Sequence, residues 1–170
     1  MALTISQALR RIKKLKGELA VHLQRAANAN TFKAGEEPAF RFGPMLELAE
    51  SVRSDLIRLE TDVARTNAQT GITYGGMQGS CTLTEATKRL RELKSQLAWY
   101  EGLNCREHNE TTSKEVDYDH DGPGRHYVTT MWRCDMPVAQ KAARVTHLQE
   151  EFDRLNDAVE TANHRTELIR

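Results

Sequence analysis

The sequence lacks the features that mark several classes of protein. Its 170 residues include only 3 cysteines, 4 prolines and 10 glycines, which excludes disulfide-rich and collagen-like chains. Aromatic residues make up 6%, and no stretch approaches the roughly 18 apolar residues that a membrane-spanning helix needs. Hydrophobic residues, at 39%, are nevertheless too frequent for a disordered chain. Together with 28% charged residues they are typical of amphipathic helices with narrow apolar stripes.

The N-terminal segment and the cysteines predict a cytoplasmic protein, in a bacterial cytosol or a phage-infected host. The segment has no apolar stretch followed by a small-residue cleavage site, so we expect no secretory signal. Cys81, Cys105 and Cys134 are odd in number and have no CxxC spacing. Such cysteines are typical of free thiols in a reducing compartment.

Four segments repeat apolar residues at intervals of three and four, which is the period of an amphipathic helix. The first runs from about Thr4 to Asn28, and the second opens at Pro44 and ends near residues 65–67. The third follows a capping box formed by residues 82–85, and the fourth starts at residues 135–137. Because one narrow stripe buries little by itself, we expect an antiparallel, coiled-coil-like four-helix bundle.

A different pattern separates the third and fourth helices. Two segments rich in β-branched and aromatic residues flank the turn sequence Asp121-Gly-Pro-Gly124 and predict a β-hairpin at about 111–134. An isolated hairpin is marginally stable in water, so it must pack on the bundle or pair with another copy. The fold class is therefore mainly α, a single domain over residues 1–170 with an inserted hairpin. The residues expected to face each other are Val116 and Tyr118 on one strand and Val128, Thr130 and Trp132 on the other.

Charge is unevenly distributed along the chain although the total is zero. Residues 1–33 carry seven basic residues against one acid, whereas residues 107–121 carry six acids against one lysine. This asymmetry attracts an anionic ligand or aligns subunits, but it is also common on solvated helix faces. The basic residues are Arg10, Arg11, Lys13, Lys14, Lys16, Arg25 and Lys33.

Polar residues cluster at the ends of the second and fourth helices, which an antiparallel bundle can bring to the same end. One interpretation is structural, since basic side chains near a helix C-terminus can bond the last carbonyl groups. The other is a binding site for phosphate or carboxylate, with two arginine forks and neighbouring hydrogen-bond donors. The candidate site residues are Arg65, Asn67, Thr70, Asn163, Arg165 and Thr166, with Arg125 and Arg133 contributed by a neighbouring subunit.

Motifs for metals and catalysis are incomplete in this sequence. Asp117, Asp119 and Asp121 match the opening of an EF-hand loop, but the bidentate glutamate is missing, so a solvated acidic turn is favoured over a Ca²⁺ site. A zinc site would need a second closely spaced ligand pair beside Cys105 and His108. No nucleophile elbow, P-loop or Rossmann motif is present, so we expect neither an enzyme nor a cofactor.

Several segments resemble a family of small bacterial and phage proteins named septicolysin-like. The similar segments are QALRRIKKLKGELAVHLQRAANAN followed by GEEP, then RTNAQT, TLTEATKRLRELKSQL and ANHRTELI. Together they cover most of the chain, while residues 102–136 depart with a longer hairpin. The resemblance implies a helical fold and oligomerisation, and it supplies no established activity.

Two functional hypotheses follow. The first is a non-catalytic homo-oligomer that captures a small anionic, nucleotide-like molecule, in the manner of a phage anti-defence protein that sequesters host signals. The second is a structural assembly or adaptor protein acting through its helix stripes and hairpin edge. Nucleic-acid binding is disfavoured by the neutral charge and the few aromatics, and pore formation by the narrow apolar faces.

Overall fold

The computed structural model describes residues 2–74, 81–105, 110–116, 125–131 and 134–169, with the backbone alone in 110–116 and 125–131. This part of the chain is mainly helical, which confirms the predicted class of a helical bundle with an inserted antiparallel hairpin. The elements in chain order are α1 (Ile5–Ala29), α2 (Phe42–Gln69), β1 (Gly71–Ile72), β2 (Cys81–Thr82), α3 (Leu83–Gly102), β3 (Glu110–Val116), β4 (Arg125–Met131) and α4 (Val138–Arg165).

The chain divides into two compact units, and the division falls within α3 and α4. The first unit comprises Met1–Arg89 and Arg154–Arg170, and the second comprises Leu90–Asp153. The first unit therefore holds α1, α2, the β1–β2 pair and the ends of the other two helices. The second holds the β3–β4 hairpin with the rest of α3 and α4.

In the first unit, α1 and α2 pack along each other as an antiparallel pair. The buried residues of this pair near the chain termini are mostly large and aliphatic, and those at its other end are alanines. Lys16 and Glu60 add an ion pair of 2.8 Å across the surface of the pair. The buried residues are Ile5, Ala8, Ile12, Leu15, Ala26 and Ala29 of α1, and Ala49, Leu56, Val63 and Thr66 of α2.

The start of α2 differs from the sequence prediction. The helix begins at Phe42, with Arg41 as its N-cap residue, so Pro44 occupies the third helical position and not the first. Proline is tolerated there because the amides of the whole first turn have no partner within the helix. The preceding loop turns at Gly35, whose φ of 90° lies in the left-handed region, while the Glu36 amide donates to the Lys33 carbonyl at 3.0 Å.

The chain termini are tied together at one end of the first unit. Thr4 and Glu167 form an antiparallel bridge, flanked by bonds from the Ile5 amide to the Thr166 carbonyl (3.0 Å) and from the Leu168 amide to the Leu3 carbonyl (2.8 Å). The same end carries the two-residue strands β1 and β2, which pair antiparallel with each other. Regular backbone pairing thus reaches within a few residues of both termini, where chains are usually poorly ordered.

Capping boxes begin two of the helices. At α3 the Thr82 amide donates to the Glu85 carboxylate at 2.7 Å, and the Glu85 amide donates to the Thr82 hydroxyl at 3.2 Å, as the sequence predicts. At α1 Thr4 and Gln7 form the same reciprocal pair. The hydrogen bonds from the Thr82 backbone and hydroxyl lower the pKa of Glu85, because they stabilise its ionised form.

We expect Glu85→Ala to lower the thermal stability of the protein at neutral pH and to have no such effect in acid. A carboxyl group with a lowered pKa in the folded state stabilises that state above its unfolded-state pKa of about 4.3. The contribution is lost as the pH falls through the lower, folded-state pKa. Thermal melts of the wild type and of Glu85→Ala, recorded from acidic to neutral pH, measure the difference in Tm between them.

The control for this experiment is Glu92→Ala, which removes an exposed carboxylate from the same helix without touching its first turn. If the difference in Tm between the wild type and Glu85→Ala stayed constant into strong acid, the capping account would be contradicted. It would also be contradicted if Glu92→Ala lowered the Tm by the same amount with the same dependence on pH.

The second unit contains the predicted hairpin, but with a different register from the expected one. Val116 pairs with Arg125, and Val128 pairs with Ser113, so the predicted facing of Val116 with Val128 is wrong. Eight residues separate β3 from β4, so the turn is wider than the four-residue sequence on which the expectation rested. The predicted partners Tyr118 and Trp132 lie outside the described residues.

A lysine from α4 caps the end of α3 in the same unit. The Lys141 ammonium donates to the carbonyl oxygens of Glu101 at 2.9 Å and Leu103 at 2.7 Å. Carbonyl groups in the last turn of a helix have no partner within the helix, and a cation there also offsets the negative end of the helix dipole. Lys141 therefore links the two helices on either side of the hairpin.

Candidate anion-binding groove

The predicted site residues at the end of α2 are mostly used in local structure. The Arg65 side chain is 48% exposed and forms an ion pair with Asp62, one turn earlier, at 3.6 Å. The Thr70 hydroxyl donates to the Thr66 carbonyl at 2.8 Å, and the Thr70 carbonyl accepts from the Leu83 amide at 2.8 Å. Asn67 is half-buried, and its side-chain oxygen accepts no hydrogen bond from the described part of the chain.

Thr66 is next in sequence to two of these predicted residues, and its side chain is the buried polar group at this end of the first unit. It is fully buried, donates to the Asp62 carbonyl at 2.7 Å and accepts from the Ile169 amide at 3.0 Å. The bond to Ile169 anchors the C-terminal segment on α2. The ends of α2 and α4 therefore lie together, as predicted, and the contact that joins them is structural.

The predicted residues of α4 differ in their surroundings. Thr166 takes part through its backbone, donating to the Ala162 carbonyl and accepting from the Ile5 amide. Arg165 is exposed in the last turn of α4, where a cation offsets the helix dipole. Asn163 is half-buried and lines an open groove between α1 and α4.

The other predicted residues cannot be assigned to this site. Arg125 lies at the start of β4 in the second unit, where the structure describes the backbone alone. Arg133 lies outside the described residues. The same holds for the weak Ca²⁺ candidates Asp117, Asp119 and Asp121.

Two clefts flank α1 within the first unit. The first, between α1 and α2, has a volume of about 410 Å³ and balanced charge, because two arginines and two aspartates line it. One of those arginines, Arg58, already bonds Asp55 at 2.9 Å, and the other aspartate, Asp62, pairs with Arg65. Arg11 has no ion-pair partner among the described residues, but the net charge of the lining is zero, so this cleft attracts an anion less than a cleft with an excess of positive charge does. The lining residues are Leu3, Arg11, Leu15, Asp55, Arg58, Leu59, Asp62 and Leu168.

The second cleft, which we call the α1–α4 groove, has an excess of positive charge. Its volume is about 430 Å³, within the range of about 300–1,000 Å³ that is usual for small-molecule sites. Two cations of α1 line it, and Glu160 is its single carboxylate. The lining residues are Ser6, Leu9, Arg10 and Lys13 of α1 with Glu160, Asn163 and His164 of α4.

The cations of the α1–α4 groove have no ion-pair partner among the residues that the structure describes. Neighbouring lysines of α1 are paired, Lys14 with Glu18 and Lys16 with Glu60, whereas Arg10 and Lys13 are not. Glu160, the carboxylate in the groove, instead accepts a hydrogen bond from the Asn156 amide at 3.1 Å. Arg10 and Lys13 together outweigh the single charge of Glu160, so the groove offers one net positive charge to a ligand that enters it.

The donors in the groove suit a phosphate or carboxylate group. A guanidinium presents a planar fork and an ammonium presents three rotatable donors, and both bond oxyanions more strongly than neutral groups do. Ser6 and Asn163, both half-buried, add a hydroxyl and an amide. Leu9, whose side chain is 45% exposed, gives the groove an apolar wall for the rest of a ligand.

The candidate site predicted from the sequence and the α1–α4 groove have one residue in common, Asn163. Arg10 and Lys13 belong to the basic run noted in the sequence, whereas the arginine fork was predicted at Arg65 and Arg165. The signal that could have distinguished Lys14 from Arg10 and Lys13 is the position of Glu18, four residues after Lys14. Lys16 forms its ion pair with Glu60 of α2, and no local pattern in the sequence predicts that contact.

Searches for other kinds of site give two further observations. Within the described ranges, no three His, Cys, Asp or Glu side chains come close enough together to hold a metal ion. None of the helices in that part of the chain has the length and apolarity needed to cross a membrane.

Comparisons with known proteins support the fold and leave the activity open. No family model and no curated protein matches the chain, so the resemblance to septicolysin-like proteins stays a prediction. A crystal structure of a functionally unknown conserved protein from Corynebacterium diphtheriae is similar, with a TM-score of 0.71 and 19% identity. The similarity covers 99% of this chain and 100% of that one. At this identity the similarity shows a shared fold.

Proposed function

We propose that the protein is a non-catalytic, homo-oligomeric binding protein that captures a small anionic ligand in the α1–α4 groove. The observation that carries the proposal is the placement of Arg10 and Lys13, two cations without a carboxylate partner in the described structure, opposite Asn163 and His164. The ligand class is a phosphate- or carboxylate-bearing molecule with an apolar part, of which a nucleotide is one example.

The physical character of the groove sets the expected mode of binding. Arg10 and Lys13 are exposed, so their attraction to an anion acts through water and is screened by salt. The first turn of α1, where Ser6 lies, carries the positive end of its helix dipole, which favours an anion, whereas Asn163 and His164 lie in the last turn of α4, at the negative end of that helix's dipole. The attraction for an anion therefore comes mainly from Arg10 and Lys13. We therefore expect affinity to fall as salt is added, and the apolar contact with Leu9 to distinguish ligands of equal charge.

Isothermal titration calorimetry with three probes tests the proposal. The probes are inorganic phosphate, adenosine monophosphate and uncharged adenosine, each titrated into the full-length protein at low salt. We expect saturable binding of the two anions, tighter for the nucleotide, and none of adenosine. An absence of heat with both anions, or equal binding of adenosine, would overturn the assignment of an anion site.

The second candidate function is a structural assembly or adaptor protein. It is favoured by large apolar side chains on the helix surfaces, among which Ile57 is 58% and Trp99 is 61% exposed. Tryptophan is enriched among residues that dominate protein interfaces. Protein that assembles normally and binds neither phosphate nor nucleotide in the calorimeter would favour this function over ligand capture.

A further inference from the structure

The β3–β4 hairpin has two unpaired strand edges of different character among the described residues. Its sheet has two strands, and no third strand among the described residues pairs with either of them. An unpaired edge presents a row of amide and carbonyl groups that can accept another strand. A two-stranded hairpin is also only marginally stable in water, whereas a sheet of three or more strands can be stable. Adding a strand to one edge would therefore stabilise the element.

Charge distinguishes the two edges. β3 carries Glu110, Lys114 and Glu115 within seven residues, and charged side chains on an edge strand, lysine especially, oppose pairing with another chain. β4 carries a single formal charge, Arg125, at its first residue. The residues that follow, HYVTTM, are rich in β-branched and aromatic types, which favour a strand. β4 is the edge that lacks protection against pairing.

We propose that β4 pairs antiparallel with β4 of a second copy of this chain, joining two hairpins into one four-stranded sheet. Full overlap of the seven-residue strand with itself sets the register, because its middle residue, Val128, must lie opposite the partner's Val128. In that register Tyr127 lies opposite Thr129, and Arg125 lies opposite Met131. Aromatic and β-branched pairs stabilise such a ladder, and no two like charges oppose each other.

The pairing gives a structural basis to the homo-oligomeric part of the proposed function and is independent of the anion site. The α1–α4 groove belongs to the first unit and β4 to the second. Substitutions in β4 can therefore be tested for their effect on association, and substitutions in the α1–α4 groove for their effect on ligand binding. The two proposals can fail separately.

Sedimentation equilibrium of the full-length chain tests the pairing through a charge exchange at its centre. The proteins are the wild type, Val128→Lys, Val128→Glu and an equimolar mixture of the two variants. We expect wild-type protein to associate, and each variant alone to associate roughly 10-fold more weakly, because like charges then lie directly opposite each other. We expect the mixture to regain association, since Lys and Glu oppose each other in mixed pairs.

Ser113→Lys is the matched control, because Ser113 is the β3 residue that pairs with Val128 within the hairpin. It should associate like the wild type, since β3 is not the pairing edge. Recovery in the Lys–Glu mixture separates loss of pairing from damage to the hairpin, which mixing cannot repair. The proposal is overturned by wild-type protein that stays monomeric, by no recovery in the mixture, or by Ser113→Lys weakening association as much as Val128→Lys.

Discussion

Replacing Arg10 and Lys13 together by alanine is expected to weaken binding of phosphate-bearing ligands by about 10- to 100-fold. Both side chains line the α1–α4 groove, and neither has an ion-pair partner in the described part of the protein. Their hydrogen bonds to a ligand oxyanion are charge-assisted, and Ser6 and Asn163 cannot replace the lost charge. Calorimetric titration with adenosine monophosphate measures the change in Kd.

The double variant Lys14→Ala/Lys16→Ala is the matched control. It removes the same number of charges from the same two turns of α1, but these lysines are paired with Glu18 and Glu60 away from the groove. Binding should stay within about 3-fold of the wild type, because exposed ion pairs contribute little. Equal weakening by both double variants would show attraction to the overall charge of α1 and contradict a defined site.

Truncating Ile5 to alanine is expected to cost about 2–5 kcal/mol of folding stability. Ile5 is fully buried at the start of α1, and its amide bonds the Thr166 carbonyl of the C-terminal segment. Removing its side chain leaves a cavity where the two termini meet α2. Because small domains are stable by only about 5–15 kcal/mol, a loss of this size is a large part of the total. Urea unfolding followed by circular dichroism measures it.

Val21→Ala on the same helix controls for the change to alanine. Val21 is 46% exposed, so its truncation should cost less than about 1 kcal/mol. If Ile5→Ala were as mild as Val21→Ala, the account of the tied termini would be wrong.

The helices could be predicted from the sequence because their signals are local. Apolar residues at intervals of three and four predict the positions of all four helices. The pattern Thr82-Leu-Thr-Glu85 predicts the capping box that begins α3. The start of α2 was missed by two residues because proline is tolerated throughout the first helical turn and does not mark one position in it.

Features that depend on pairing between distant segments could not be predicted in the same way. The register of β3 with β4 depends on the length of the connection, and alternation of residue types allowed Val116 to be placed opposite Val128. The strands β1 and β2 are two residues long, too short to show a period. To predict the β3–β4 register and the β1–β2 pair, one must know where the partner strand lies, and no local sequence pattern contains that information.

The residues of the candidate site could be named only in part from the sequence. Sequence analysis placed basic and polar residues at one end of the unit, and the contacts of Thr66 and Thr166 confirm that the ends of α2 and α4 meet there. Whether a cation is already paired depends on the neighbouring helix for Lys16, which pairs with Glu60, and on local spacing for Arg65, which pairs with Asp62 three residues earlier. Arg65 is paired with Asp62, whereas Arg10 has no ion-pair partner in the described part of the chain, so we propose the site on the face of α1 that adjoins α4.

A titration of isotope-labelled protein with inorganic phosphate, followed by amide NMR, tests anion capture most directly. We predict saturable shifts confined to the amides of Ser6, Lys13 and Asn163 and their immediate neighbours, which approach their initial positions when salt is added. Shifts that never saturate, or that are as large at Lys16 as at Lys13, would contradict a site in the α1–α4 groove.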